Sequence, residues 1–210
     1  MYSLGEIETQ CRKAARGVGL SWGLANEVGL VARHLMECNL PGPEAVLRSL
    51  KWIDAKGCDY KIEGVLSIEK INSPTNGLFL GLFFLDRVRD VIGKEICISQ
   101  KIVGPLALVG FLLRLKKEKY WFLVEWSDCM IKLEKDGLMV SGKNLNPKFV
   151  QNITIKIFIG EVQPASLGLP KTRLPVQHWD VLTEMANRTN VPATEKSRLL
   201  GAGAGLNENE

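Results

Sequence analysis

Two groups of residues carry side chains that could do chemistry, and they lie at opposite ends of the chain. Thr194, Glu195, Ser197 and Arg198 put two hydroxyls, a carboxylate and a fixed cation within five residues, and Gly201, Gly203 and Gly205 alternate with alanine just beyond them. Hydroxyls and a guanidinium grip an anion, a carboxylate can act as a general base, and glycines let backbone N–H groups approach closely. Near the other end, Arg16, Trp22 and Glu27 offer a second cation, a stacking ring and a second candidate base. The expected site is therefore the junction of the tail with the first two helices. Arg16, Trp22, Thr194, Ser197, Arg198, Gly201, Gly203 and Gly205 would hold a small anionic metabolite there, with Glu27 and Glu195 as candidate catalytic groups. Pairs such as Arg198 with Glu27, or Arg16 with Glu195, would join the two ends. The competing reading is a flexible terminal tail beside helix-end charges that are solvated or paired with one another.

Other chemistries find little support. The Gly-Ala run lacks the preceding strand and following helix of a dinucleotide fingerprint, and no Gly-Lys-Ser/Thr follows it. His34 and His178, the two histidines, have no Cys or His partners at zinc spacing, and the acidic residues form no EF-hand loop, so no metal is expected. No G-x-S-x-G elbow occurs. Cys11 and Cys129 read better as buried structural thiols than as nucleophiles. No cofactor is indicated, and these residues do not decide whether the protein is an enzyme.

Composition narrows the setting. Twenty-seven Lys and Arg against 23 Asp and Glu leave a net charge of +4, too weak a bias to imply nucleic acid or a membrane surface. The apolar runs are shorter than the ~20 residues of a spanning helix. The first residues are acidic where a secretion signal would be basic. Five scattered cysteines, none in a C-x-x-C pair, fit reduced thiols in a cytoplasmic protein. Two alternatives come from other classes. One is a noncatalytic accessory or assembly subunit of a metabolic enzyme, with a homo-oligomer or a partner subunit using the five tryptophans as contact surface. The other, weaker, is a DNA-binding helix-turn-helix protein. The helix following Ser21 has no Lys or Arg in its first turns, so no nucleic acid is expected as partner.

The elements that must position these groups read as an α+β fold in a single domain, residues 1–210. Its parts are an amino-terminal helical layer (1–53), a central antiparallel sheet (96–159), and a carboxy-terminal helix with a glycine-rich tail (178–210). Ser3 and Glu6 form a capping box for a first helix stopped by Gly17 and Gly19. Ser21 caps a second helix that ends near Asn39, and Pro43 opens a third over 44–52. Residues 54–60 read as a loop, 76–92 as a buried helix against the sheet, and 160–177 as a surface connector. The apolar run 106–115 and the run 120–126, joined by Lys116-Lys117-Glu118-Lys119, read as an antiparallel hairpin with Phe111, Leu113, Trp121 and Leu123 buried. A second hairpin turns at Lys135-Asp136-Gly137, and residues 152–159 add a strand.

Lys13-Ala14-Ala15-Arg16-Gly17, Trp22-Gly23-Leu24-Ala25-Asn26-Glu27 and residues 188–210 together resemble a bacterial domain family of unknown function. The likeness extends over nearly the whole chain and is clearest in residues 13–27 and 188–210. It implies a fold and a cytosolic bacterial setting, and no activity.

Overall fold

The computed structural model describes residues 2–57, 75–118, 120–134, 137–160 and 176–190. The chain opens with three helices. In α1 (Leu4–Gly17) the Ser3 hydroxyl accepts from the Glu6 N–H, and the Glu6 carboxylate accepts from the Ser3 N–H at 2.7 Å, which completes the capping box. Ser21 caps α2 (Trp22–Glu37) by accepting from the Leu24 N–H. Helix α3 (Gly42–Lys56) starts one residue before the expected Pro43, which takes its second position, and runs past Trp52. Residues 54–56, read as loop, are its last turn. No Gly or Pro interrupts them, and Ile53 continues the buried stripe of Val46 and Leu50.

Beyond α3, β1 (Thr75–Asn76) leads into α4 (Gly77–Asp86) and the short α5 (Val88–Val91), so the single helix expected over 76–92 is broken at Arg87. Strands β2 (Glu95–Ile98) and β3 (Ile102–Val103) follow, then α6 (Pro105–Leu112) and a 3-10 turn (Leu113–Glu118). The rest is β4 (Tyr120–Trp126), β5 (Cys129–Glu134), β6 (Gly137–Gly142), β7 (Phe149–Val150), β8 (Ile153–Ile159) and α7 (Val176–Asn187).

Two sheets result. The larger is antiparallel, ordered β2-β8-β4-β5-β6, and the smaller is mixed, ordered β1-β3-β7 with β1 parallel to β3. The second expected hairpin is present as β5 and β6, with Glu134 opposite Gly137 and Gly137 at φ 116°, which glycine adopts without strain. The main strands alternate. Phe122, Val124, Trp126, Ile131, Leu133, Ile155 and Ile157 face the core, whereas Trp121 and Leu123, expected to be buried, are only half-buried on the other face.

The first expected hairpin is wrong in its first arm. Residues 105–112 are helical and all eight are buried, so neither a period of 2 nor one of 3.6 separates an inner from an outer face, and periodicity has nothing to report. Gly104 at φ 60° turns the chain into this helix, and Pro105 takes its first position, where a missing N–H does no harm. Phe111 and Leu113 are buried as expected, but among helices. Helix α4 packs chiefly on α6 rather than on the sheet. The link to the sheet is made just after α5, where the Gly93 N–H donates to the Ile157 carbonyl.

Helix α7 closes the layer against α1 and α3. Tyr2 and Trp179 stack with ring centroids 3.6 Å apart, and the Gln10 amide donates to the Thr183 hydroxyl at 2.7 Å. Arg188 pairs with Asp54 at 2.6 Å.

Candidate functional site

The residues expected at the amino-terminal half of the site are mostly engaged with their neighbours. The Arg16 guanidinium donates to the Leu20 carbonyl and lies 4.6 Å from the centroid of the Trp22 ring, so Arg16 and Trp22 are brought together. Trp22 is two-thirds exposed, and Arg16 Nε is buried without a hydrogen-bond partner among the described residues. Glu27 faces elsewhere, in an ion pair of 2.5 Å with Arg114. Arg33 bridges Glu8 and Glu37, which ties α2 to α1 and holds its guanidinium pKa above the ordinary value through both hydrogen bonds. Thr194, Glu195, Ser197, Arg198, Gly201, Gly203 and Gly205 lie outside the described residues, as do the pairs proposed for Arg198 and Glu195. Burial raises the Cys11 thiol to about 12 and lifts Cys129 as well, aided there by Asp128, so neither is a ready thiolate nucleophile.

A different cluster stands out. A cleft of about 700 Å³ is lined by Arg48, Lys51 and Lys56 of α3, Lys101 just before β3, and Lys148 just before β7. Glu44 is the one carboxylate among the described residues that line it, and His178 comes in from α7. Helical geometry explains the α3 contribution, since Glu44, Arg48, Lys51, Trp52 and Ala55 recur at intervals of three and four and share one face. The small mixed sheet explains the rest. Thr75 N–H donates to the Lys101 carbonyl at 2.9 Å and Gly104 N–H donates to the Lys148 carbonyl at 3.0 Å, which brings the two lysines, 47 positions apart, to one edge facing α3.

None of the five cations forms an ion pair among the described residues. Arg48 Nε is buried and has no hydrogen-bond partner among the described residues. Lys101 Nζ sits 4.0 Å from the centroid of the Phe149 ring, and Phe149, also lining the cleft, is half-exposed. His178 Nδ1 is 3.3 Å from a Glu44 oxygen, within ion-pair range for a protonated imidazole but outside hydrogen-bond geometry, which leaves that nitrogen buried and unsatisfied. Unpaired cations converging on a concave, partly apolar surface attract an anion and can hold it by charge-assisted hydrogen bonds.

Sequence reasoning missed this cluster, although the basic residues at helical spacing on α3 were a usable signal. Lys101 and Lys148 gave none, because each is an isolated lysine beside a two-residue strand.

Residues 2–77 match the model of a family described as "Protein of unknown function (DUF3726)". The match takes in the stretch 13–27 and α1 to α3. It covers part of the chain only, so the likeness expected over nearly the whole length is shown for this segment and does not reach 188–210. No curated protein and no solved structure matches the chain. No helix among the described residues is long and apolar enough to cross a membrane.

Proposed function

We propose that this protein binds a small anionic metabolite in the cleft between α3 and the β3-β7 edge, and that it works in the bacterial cytoplasm. One observation carries the reading: five cations from three separate segments converge on one cavity that offers them, among the described residues, a single carboxylate. Like charges gathered around a cavity repel, and an anion of matching size relieves that repulsion while satisfying the buried Arg48 Nε. The cytoplasmic setting is supported by the thiols of Cys11, Cys97 and Cys129, none of them in a disulfide.

The same ligand class at the tail junction is a second reading, supported by the stacked pair of Arg16 and Trp22. The accessory-subunit reading has less behind it. Its support is the exposure of Trp22, Met139, Val140, Phe158 and Ile159, which no charged group among the described residues ties to a partner of stated chemistry.

A thermal-shift screen over carboxylates and phosphorylated metabolites tests the proposal. A ligand at a hundred times its Kd stabilises the folded state by roughly 2.7 kcal/mol, which for a chain of this size raises Tm by about 5 to 10 °C. The Arg48→Gln/Lys101→Gln variant should lose that rise, and a truncation after Asn190 should keep it. A flat screen overturns the proposal. A rise that survives the double substitution and disappears on truncation moves the site to the tail.

A further inference from the structure

We propose that the ligand of the cleft is a nucleotide: a planar base joined through a sugar to two or more phosphates. This rests on the anion-binding reading and adds a chemical class to it.

Charge argues for more than one phosphate. Five cations against Glu44 far exceed what a monoanionic carboxylate would neutralise, and their extent exceeds a single phosphoryl group. From Arg48 to Lys56 is eight residues of helix, or about 12 Å along the axis at 1.5 Å per residue. Lys101 and Lys148 lie across the cleft from this row. A chain of two or three phosphates can meet several of these groups at once, and Arg48, with its buried unsatisfied Nε, is the one whose planar guanidinium suits a phosphate best.

The aromatic lining argues for a base. Trp52, half-buried, follows Arg48 by one helical turn, and Phe149 presents a half-exposed ring at the same cleft, with Lys101 packed against it. The position of the exposed Phe149 ring, inside the cationic cleft, is what points to a base, because stacking with a nucleobase would cover it. A bare polyanion would leave the exposed half of the Phe149 ring in water. The volume of about 700 Å³ falls in the range of pockets that enclose compounds of this size. The cleft has the volume of one small molecule and the chain a net charge of only +4, which favours a mononucleotide over a strand of nucleic acid.

Calorimetric titration of the full-length chain with ADP, pyrophosphate and adenosine, and with a short oligothymidylate, tests this. ADP should bind most tightly, pyrophosphate less so, and adenosine most weakly of the three. Phe149→Ala should weaken ADP roughly tenfold, the usual order for losing one stacking aromatic, and leave pyrophosphate within about twofold. Phe149→Tyr should restore ADP binding, and an unchanged Tm without ligand shows that Phe149→Ala folds. Lys101→Gln/Lys148→Gln should weaken both ADP and pyrophosphate. If pyrophosphate binds as tightly as ADP and ignores Phe149→Ala, the nucleotide class is overturned while the anion site stands. If neither binds, both readings fall. If the oligothymidylate binds more tightly than ADP, the class is overturned in favour of single-stranded nucleic acid.

Discussion

The contact between Gly81 and Phe111 tests the helical core where the sequence pattern points to a hairpin. Helices α4 and α6 meet closely enough that a Cβ added at Gly81 would lie 2.3 Å from Phe111 Cδ2, 2.7 Å from Cγ and 2.8 Å from Cβ. In Gly81→Ala the better helix propensity of alanine, worth ~1 kcal/mol, opposes an overpacking cost of about 1 to 3 kcal/mol. The net effect is a destabilisation of roughly 0 to 2 kcal/mol. Phe111→Ala removes a ring that is 1% exposed and should cost about 3 to 5 kcal/mol. In the double variant the ring that obstructed the new methyl is gone, only the Cβ of the truncated side chain remains close, and the methyl fills part of the vacated space. The double variant should therefore be more stable than the sum of the singles implies, by about 1 to 2 kcal/mol, within the range for residues in contact. Urea denaturation followed by circular dichroism on the four proteins of the cycle measures this. Additivity within about 0.5 kcal/mol would mean that Gly81 does not face Phe111, and the packing of α4 on α6 would fall with it.

The capping box gives α1 a pH signature. Hydrogen bonds from the Ser3 backbone and then its hydroxyl hold the Glu6 pKa below its ordinary value of 4.5. A carboxylate depressed on folding contributes stability that is fully present above the unfolded-state value and lost as pH falls through the folded one. Ser3→Ala should therefore reduce the part of the stability lost on acidification below pH 4.5, as seen in Tm measured from about pH 6 to about pH 3, and an unchanged slope would contradict the box. Thiol accessibility separates the described cysteines. Cys97 is exposed whereas Cys11 is fully buried with its pKa pushed up to about 12, so iodoacetamide at about pH 8 followed by peptide mass spectrometry should label Cys97 and spare Cys11 until denaturant is added. Labelling of Cys11 in the folded protein at a rate near that of Cys97 would refute its burial.

What the sequence determined is what depends on neighbours along the chain. Ser3 and Glu6, Ser21, and Pro43 announce three helix starts because caps act within one turn, and Gly137 announces the β5-β6 turn because only a few residues tolerate its φ. Strands β5 and β8 are legible because one face is buried and the other is not, so the side chains alternate, whereas β4 carries apolar residues on both faces and its buried face, Phe122, Val124 and Trp126, is not legible. Helix α6 is not legible, because tertiary packing buries all eight of its residues and erases the periodic signal that would tell helix from strand. The same division runs through the candidate sites. Arg16 and Trp22 lie six residues apart, and a helix end with its following turn suffices to bring them together, whereas Glu27 goes to Arg114 because α2 packs against the turn after α6. The cationic face of α3 could have been read from spacing alone. Its meeting with Lys101 and Lys148 could not, because those lysines reach the cleft only when β1, β3 and β7 pair across 75 residues of chain, and backbone hydrogen bonds between distant two-residue strands leave no trace in local composition.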